Sequence, residues 1–390
     1  MDQQEETTEQ INKKRRIQST LSFPLDLISE ILSKLPAKSV GRFRCVSKLG
    51  SSITTDPYFI NKFETRSTKE KQSLLVTFKR GDRLFVFSIP QDRQSSDEPH
   101  TIPSQAVHSY NMTYPKSCSF MPGVSVHGLI CCFRRAKKLI FWNPTTRKLY
   151  TLTKPEKSWK YARFLLGYDP TDAKYKVLCI RFDETTDEGS VLTLGSAQES
   201  WRRIKTNHKH CVNPYPAHQC TNGYIYYIAY TDKTDRIGFI MSFDVRSEKF
   251  HMIKFPWNDI RECRVVIYQG MLACLRINHP DGMTLWILQD AEKHVWSPKN
   301  FLAPFHYYDQ SLKLACNLID ITDAGEIVYV PVGCSKSFYV IYYDPKRNKY
   351  HRVEHKGIAD YESRLKNGLV KSRLFKIPIV SNHIESLMSL

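Results

Sequence analysis

Residues 22–49 read SFPLDLISEILSKLPAKSVGRFRCVSKL, and this stretch decides the first part of the fold. Pro24 suits the first turn of a helix, where its missing N–H group costs nothing. The apolar residues that follow recur on one helix face, and they are Leu27, Ile28, Ile31, Leu32 and Leu35. Pro36 ends the pattern. The stretch therefore predicts a short amphipathic helix.

Two more short helices are predicted after Pro36. The second spans about Ser39 to Leu49, with Ser39 as its N-cap residue. The third begins at Asp56, a cap residue that is followed by proline. Three short helices in roughly 45 residues bury too little apolar surface to be stable alone. The module therefore either completes its core on a partner protein or caps the domain that follows, and the sequence leaves both interpretations open.

The composition limits the class of protein. The chain has 390 residues, with 57 Lys and Arg against 39 Asp and Glu, so its net charge is +18. Such a charge favours acidic partners. The basic residues are scattered along the chain rather than grouped, so nucleic acid is an unlikely partner. The 11 cysteines have no regular spacing, and they indicate reduced thiols in a cytosolic or nuclear compartment.

Residues 1–20 are polar and charged, and they predict a flexible tail without a secretory signal. No apolar run approaches the roughly 20 residues that a membrane span needs, so no membrane contact is expected. The basic cluster at 13–16, Lys-Lys-Arg-Arg, is either a nuclear import signal or a solvated part of the tail. We expect the protein in the nucleus, the cytoplasm or both.

From about residue 71 the spacing of apolar residues changes from helical to alternating. Runs such as 138–143 and 338–344 are rich in aromatic and β-branched residues, and turn residues separate them, as expected for strands. In the run at 128–133, the alternation predicts that one of the adjacent thiols of Cys131 and Cys132 is buried and the other exposed.

Similar turns recur along this strand-rich part. Asn or Asp opens each turn, and a short polar link and a basic residue follow; the strongest examples begin at Asn143, Asp244 and Asp344. The turns repeat at intervals of roughly 50 residues. Antiparallel four-stranded blades around an axis explain this period. Residues 71–390 are therefore predicted to form a divergent β-propeller of about six blades, with two stacked β-sandwiches as the alternative.

Three motifs near the start of the chain resemble those of an F-box, a small helical module. They are Pro-x-Asp-Leu at 24–27, Leu-Pro-x-Lys-Ser at 35–39 and Arg-x-Arg-Cys-Val-Ser-Lys at 42–48. The resemblance assigns residues 21–66 to the module. Two positions depart from the family pattern: Leu49 stands where Trp is common, and Gly41 where a bulkier apolar residue is usual.

The F-box resemblance implies a partner. F-boxes dock on a small acidic adaptor of the Skp type, which links them to a cullin scaffold and a ubiquitin-conjugating enzyme. Carried over by position, the docking residues are Phe23, Pro24, Leu27, Ile28, Ile31, Leu32, Leu35, Pro36, Val40 and Val46. Some of these must instead form the core of the module, and the sequence does not separate the two groups.

The strand-rich part resembles the F-box-associated domains, kelch-like propellers that follow F-boxes in a large plant family. The resemblance rests on the Trp-Asn-Pro-x-Thr-Arg-Lys run at 142–148 and the Gly-Tyr-Asp-Pro-x-x-x-x-Tyr-Lys-Val run at 167–177. Such domains are taken to recruit a substrate protein, so the resemblance implies a target-binding role for residues 71–390.

The sequence offers little for catalysis or metal binding. His208, His210, Cys211, His218 and Cys220 crowd one loop-like segment, but their spacing is not that of a zinc site, so a surface loop is expected and no metal is predicted. No Gly-rich phosphate loop, HExxH motif or nucleophile elbow is present. We therefore predict no catalytic residue and no cofactor.

Three polar and aromatic stretches, 154–163, 205–220 and 300–311, are predicted to contact a substrate protein. Their candidate anchors are Trp159, Tyr161, Tyr215 and His306. The other interpretation of these side chains is that they pack between blades.

Together, these features predict a small all-α F-box module followed by an all-β domain. The predicted function is that of the substrate-recognition subunit of an SCF-type ubiquitin ligase, which catalyses nothing itself. The alternative is a β-propeller interaction scaffold outside any ligase, in which the helical segment only caps the ring.

Overall fold

The structure is a computed structural model that describes residues 24–70, 72–91, 108–115, 120, 122–132, 138–153, 161–196, 199–213, 218–232, 237–259, 263–278, 282–302, 308–309, 314–322, 324–334, 337–366, 374–375 and 377–388.

Four helices form the helical module, which we define as residues 24–70: α1 (Leu25–Ser33), α2 (Ala37–Val46), α3 (Lys48–Thr55) and α4 (Pro57–Glu70). The second predicted helix is divided in two, because Ser47 is extended, with φ −153°, and its side chain caps α3. Pro36, and not Ser39, precedes α2. Asp56 accepts a backbone hydrogen bond at 2.8 Å, so the predicted cap of α4 is confirmed. No helix in the described ranges is long and apolar enough to cross a membrane.

The rest of the described chain consists of strands and one short helix, α5 (Tyr361–Lys366). The strands of the first part are β1 (Ser73–Arg80), β2 (Arg83–Pro90), β3 (His108–Thr113), β4 (Pro122–Val126), β5 (Leu129–Cys132), β6 (Lys138–Asn143), β7 (Lys148–Thr153), β8 (Ala162–Asp169), β9 (Lys174–Arg181), β10 (Thr186–Thr193), β11 (Arg202–Val212), β12 (His218–Thr221) and β13 (Tyr224–Tyr230). Those of the second part are β14 (Ile237–Asp244), β15 (Phe250–Asp259), β16 (Cys263–Tyr268), β17 (Met271–Asn278), β18 (Gly282–Asp290), β19 (Val295–Phe301), β20 (Tyr308–Asp309), β21 (Leu314–Ile321), β22 (Ile327–Pro331), β23 (Gly333–Cys334), β24 (Phe338–Asp344), β25 (Lys349–His355), β26 (Leu374–Phe375) and β27 (Ile379–His383).

The strands pair in antiparallel sheets of blade size. The orders β27-β1-β2-β3, β4-β5-β6-β7 and β16-β17-β18-β19 are four-stranded, and β20-β21-β22-β24-β25 is five-stranded. The strands from β8 to β15 form one eight-stranded sheet, because Cys211 and Val212 at the end of β11 pair with β13. The predicted count of about six blades is therefore corrected: the sheets are four separate blades and one eight-stranded sheet, besides the two-stranded β23-β26.

Six strands contact one another in a closed ring, one from each of the four separate blades and two, β8 and β12, from the eight-stranded sheet. β4 contacts β27 and β8, β12 contacts β8 and β16, and β21 contacts β16 and β27. Side chains link these strands: Arg264 in β16 donates a hydrogen bond to the Ile319 carbonyl oxygen in β21 at 3.1 Å, and Asn382 in β27 donates to Asp320 in β21 at 3.1 Å. The ring is the arrangement of a propeller and not of two stacked sandwiches.

Five tight turns within the described residues share one geometry. In each, the side chain of the opening residue accepts a hydrogen bond at 2.8–3.0 Å from the amide two positions on; the openers are Asn143, Asp169, Asp244, Asp290 and Asp344. The residue four positions after each opener is left-handed, with φ between 49° and 61°; these are Arg147, Ala173, Glu248, His294 and Asn348. The three strongest turns of the sequence analysis, at Asn143, Asp244 and Asp344, share this geometry, whereas Asp169 falls outside the predicted spacing of roughly 50 residues.

Neighbouring sheets cover both faces of the strands. Cys131 packs in one apolar cluster with Phe141, and Cys132 in another with Trp142. Both thiols are buried, so the prediction that one of them is exposed is wrong. Alternation within a strand does not separate core from solvent where sheets stack on both sides.

The helical module lies at one end of the β-domain, where turns join β4 to β5 and β6 to β7. The Glu64 carboxylate in α4 is 3.8 Å from the His127 ring in the first turn, and the Ser386 amide donates to Thr145 in the second turn at 3.1 Å. Because the strands are antiparallel, β7, β11 and β19 finish at the opposite end, which we call the far end.

Candidate functional site

Helix α1 carries two kinds of apolar side chain. Leu27 and Ile31 are 44% and 49% exposed, and they lie four residues apart on one face. Leu32 is 3% exposed, and Val40 of α2, which packs with it, is fully buried. The structure therefore separates the outer surface of the module from its interior, which the sequence left mixed.

The core of the module is small. Leu32 and Val40 pack with Ala37 and with two phenylalanines of α4, whose rings lie 6.4 Å apart. A sixth member, Leu387, comes from the segment that follows β27. The structure thus places two of the predicted docking residues, Leu32 and Val40, in this core.

The remaining predicted docking residues lie around the core. Pro24, Leu35, Pro36 and Val46 are exposed, and Ile28 is half-buried. Phe23 lies outside the described residues. The exposed members of the set therefore belong to α1, to the residues directly before and after it, and to the end of α2.

Exposed apolar side chains are concentrated on the helical module. Seven of the fourteen that are exposed in the described chain belong to it, and we call them the docking surface: Leu25, Leu27, Ile31, Leu35, Val46, Leu49 and Tyr58. The sequence analysis did not assign Leu25, Leu49 and Tyr58 to a docking surface, although Leu49 stands where the resembling family has Trp. Monomeric proteins rarely leave so many apolar side chains uncovered on a small module, so the surface is a candidate interface.

Charged side chains frame the docking surface. Glu30 in α1 lies 3.5 Å from Lys34 and forms a hydrogen bond with Lys62 of α4. The hydrogen bond from Lys62 lowers the pKa of Glu30. Arg42 and Lys48 are exposed on α2 and α3. Exposed cations beside an apolar surface suit an acidic partner.

The far end carries the described part of the predicted substrate surface. Tyr161 is exposed there, and its ring meets the ring of Phe182 edge-on at a centroid distance of 5.9 Å. Trp159, Tyr215 and His306 lie outside the described residues, so their contacts stay a prediction. The strands that bound 154–160 and 303–307 finish or begin at the far end, away from the helical module.

A cation lies beside this aromatic pair. The Arg163 guanidinium is 5.3 Å from the centre of the Phe182 ring, and burial lowers the pKa of Arg163. Arg181 pairs with the Asp183 carboxylate at 2.7 Å. The described far end thus combines an exposed tyrosine with arginines, a composition typical of protein-contact surfaces.

The predicted loop at 208–220 is largely strand, because β11 runs to Val212 and β12 begins at His218. The His210 ring nitrogen Nε2 lies 2.9 Å from the Tyr227 hydroxyl, and burial lowers the pKa of His210. Burial also lowers the pKa of His218 to about 4. Among the residues that the structure describes, no group of three or more His, Cys, Asp or Glu could hold a metal ion.

Two known domain families match the chain in consecutive ranges. Residues 20–61 match the F-box domain, and residues 73–384 match the F-box associated beta propeller domain. The first range includes α1, α2 and α3, and the second includes the sheets. The matched propeller family is the F-box-associated one, so a kelch relationship stays a prediction.

Relatives that match the whole of this chain are named as F-box proteins. Putative F-box proteins At1g47790 and At1g47730 of Arabidopsis thaliana are 49% and 46% identical, over 100% of this chain and 100% of each relative. Among solved structures, TolB from Acinetobacter baumannii aligns with a TM-score of 0.43 and 10% identity over 86% of this chain and 73% of its own, a likeness too distant to bear on function. The chain belongs to the family of F-box proteins that carry an F-box-associated β-propeller domain.

Proposed function

We propose that this protein is the target-recognition subunit of an SCF-type (Skp–cullin–F-box) ubiquitin ligase. The F-box docks a Skp-type adaptor, and the β-domain presents a target protein. The subunit catalyses nothing itself. It holds a lysine of the target near a charged ubiquitin carrier, so the effective concentration of the two reactants drives the transfer. Family membership and the docking surface support this proposal.

One observation carries the adaptor part of the proposal. Leu27 and Ile31 are exposed, while Leu32, next in the chain to Ile31, is in the core. A helical cap needs only an inward apolar face, so a cap alone does not account for the outward residues. A second protein that covers them does, and an acidic one also suits Arg42 and Lys48.

The far end is where we place the target. The strands that flank Trp159, Tyr215 and His306 in the sequence finish or begin at that end, away from the docking surface, and Tyr161 lies there as well. This arrangement lets the adaptor and the target bind at the same time. Tyr161 is the anchor whose exposure supports the assignment.

We place the protein in the nucleus, the cytoplasm or both. Cys220 and Cys274 are free thiols, and a reducing compartment keeps them so. The basic cluster at 13–16 would serve as an import signal in the nuclear case.

Calorimetric titration of the full chain with a purified Skp-type adaptor tests the proposal. We expect binding by the wild type and a loss of about 100-fold or more in the Leu27→Asp, Ile31→Asp double variant, because two charges would be buried in an apolar interface. The matched control is Leu365→Asp, since Leu365 is an exposed leucine on α5, outside the F-box.

A second candidate is a propeller scaffold outside any ligase, with the helices as a cap. The contact between Glu64 of α4 and Ser386 favours it, because that contact attaches the module to the β-domain. A folded wild-type chain that does not bind the adaptor would support this candidate and contradict the ligase proposal.

A further inference from the structure

The segment after β27 connects two hydrophobic cores. Leu387 is 6% exposed and belongs to the core of the F-box, with Leu32 and Val40. The next residue, Met388, packs against the core of the β-domain that contains Val126. Consecutive side chains of the 384–388 segment therefore contact different domains.

Polar contacts join the same segment to the helical module. The Ser386 hydroxyl donates a hydrogen bond to the Glu64 carboxylate in α4. The Glu385 carboxylate accepts one from the Ala37 amide at the start of α2, at 3.2 Å, and the Glu385 amide donates to the Ser67 hydroxyl at 3.2 Å. The segment thus contacts the first turn of α2 as well as α4.

Further contacts join the segment to the β-domain. The Ser386 amide donates to the Thr145 hydroxyl at 3.1 Å. Gly128 lies so close that a Cβ there would stand 2.4 Å from the Ser386 Cβ and 2.9 Å from the Ile384 carbonyl oxygen. Only a residue without a side chain permits this approach. The β4–β5 turn is therefore shaped to receive the segment.

Asn143 opens the turn between β6 and β7, and its side chain sets this turn apart from the other four turns of the same geometry. Four of the five turns open with aspartate, at Asp169, Asp244, Asp290 and Asp344, and one opens with Asn143. An aspartate caps the turn equally well through its oxygen, but only the amide has hydrogens to donate. The Asn143 amide nitrogen donates to the carbonyl oxygens of Ser386 at 3.1 Å and Met388 at 3.0 Å. The side chain is 1% exposed.

Both connections between the domains leave from one strand pair. Ser73, at the start of β1, follows the F-box helices, and it pairs with His383, the last residue of β27. The chain enters the β-domain at the first of these residues and returns to the F-box after the second. A module held by one connection can rotate about it, whereas a second connection removes that freedom.

We infer that Asn143 is a positioning residue, which holds the 384–388 segment and thereby fixes the direction of the docking surface relative to the far end. The geometric part of the inference stands on the contacts above. Its consequence rests on the proposed function: a fixed direction sets the distance between the bound target and the ubiquitin carrier, so loss of Asn143 weakens ubiquitin transfer without weakening adaptor binding.

Distance distributions within the full chain test the geometric part. The chain has 11 cysteines, so the two dyes are attached through unnatural amino acids rather than through thiols. The labelled positions are Lys38, exposed on α2, and Thr185, exposed at the far end. Single-molecule energy transfer should give one narrow distribution in the wild type. In Asn143→Asp, which keeps the turn oxygen and loses both donors, the width should at least double.

The control is Asp244→Asn, which exchanges the same two side chains in reverse at a turn of the same geometry, and its distribution should match the wild type. All six tryptophans lie after residue 141, so their fluorescence reports whether the β-domain of each variant is folded. Should Asn143→Asp not fold, Thr145→Val removes a different contact to the segment and should broaden the distribution. A wild-type width in a folded Asn143→Asp or Thr145→Val variant would overturn the inference.

Reconstituted ligase activity tests the consequence. With adaptor, cullin and carrier present, ubiquitin transfer to the chain itself should fall at least fivefold in Asn143→Asp, while adaptor affinity stays within twofold of the wild type. Unchanged transfer would contradict the positioning role. A wild type that does not bind the adaptor would instead refute the proposed function, and the distance distributions would still decide the geometric part.

Discussion

Gly41 and Gly50 lie in neighbouring helices of the F-box, but only Gly41 has room for a side chain. A Cβ on Gly50 in α3 would stand 2.5 Å from the Phe43 carbonyl oxygen of α2, whereas a Cβ on Gly41 in α2 meets nothing within 4 Å. Gly50 thus permits close packing of α2 and α3, whereas Gly41 departs from the family pattern without a packing reason.

This difference predicts opposite effects of the same substitution. Gly41→Ala should stabilise the F-box by about 1 kcal/mol, because alanine favours the helix interior. Gly50→Ala should destabilise it by about 1–3 kcal/mol, because the methyl group pushes α2 and α3 apart. Urea unfolding followed by far-UV circular dichroism measures both. Equal effects of the two substitutions would contradict the packing described for Gly50.

A second prediction concerns adjacent leucine and isoleucine side chains. Leu32→Ala should cost about 2–5 kcal/mol of unfolding free energy, because it leaves a cavity in the F-box core. Ile31→Ala should change stability by no more than about 0.5 kcal/mol, because that side chain is exposed. Thermal unfolding of the two variants tests the prediction. A larger loss for Ile31→Ala would place Ile31 in the core and remove it from the docking surface.

Ala173 predicts a stabilising substitution. It is left-handed, with φ 49°, in the turn that Asp169 opens. An L-residue in this conformation costs about 1–2 kcal/mol, which glycine avoids. Ala173→Gly should therefore raise the free energy of unfolding by about 1 kcal/mol. Ala229→Gly, in the buried strand β13, is the control and should lower it. Urea midpoints decide the sign for each.

Three of the buried histidines, whose pKa values are strongly lowered, predict a loss of stability in mild acid. Burial lowers the pKa values of His218 and His355 to about 4 and that of His383 to about 3, from an ordinary 6.5. Between these values the unfolded chain binds more protons than the folded one, so stability is complete above about pH 6.5 and falls as the pH drops toward about 4. Three such groups together give a slope of up to about 4 kcal/mol per pH unit.

Urea midpoints measured at several pH values test this slope. His355→Phe isolates one group, because His355 packs against Phe338 at a ring distance of 6.4 Å, and within the described chain neither of its ring nitrogens has a hydrogen-bond partner. The variant should lose less stability on acidification than the wild type. An identical pH dependence would show that His355 is not among the groups responsible.

Features that depend on a few neighbouring residues could be predicted from the sequence. Asp56 before proline marks the start of α4, and the turns at Asn143 and Asp244 follow from their own side chains. Each of these needs only backbone groups two or three positions away, so local chemistry determines it.

Features that depend on distant parts of the chain could not be predicted. The helical spacing places Ile31 and Leu32 on the same apolar face, and only α2 and α4 decide which of the two is covered. The hydrogen bonds of Cys211 with β13 merge two groups of strands, although the turn spacing suggests separate blades. Asn143 is recognisable as a turn opener, but its second role needs residues that lie more than 240 positions later, at separations of 243 and 245.

The position of Leu387 in the F-box core has a consequence for protein synthesis. Domains generally fold in order from the N-terminus as the chain leaves the ribosome, at roughly 5–20 residues per second. Ser386, which precedes Leu387, is 322 residues beyond its partner Glu64 in α4. At this rate the ribosome adds Leu387 on the order of 20–60 s after it has synthesised α4. An unfinished chain therefore carries an incomplete F-box core, and interrupted translation yields products in which the helices lack Leu387.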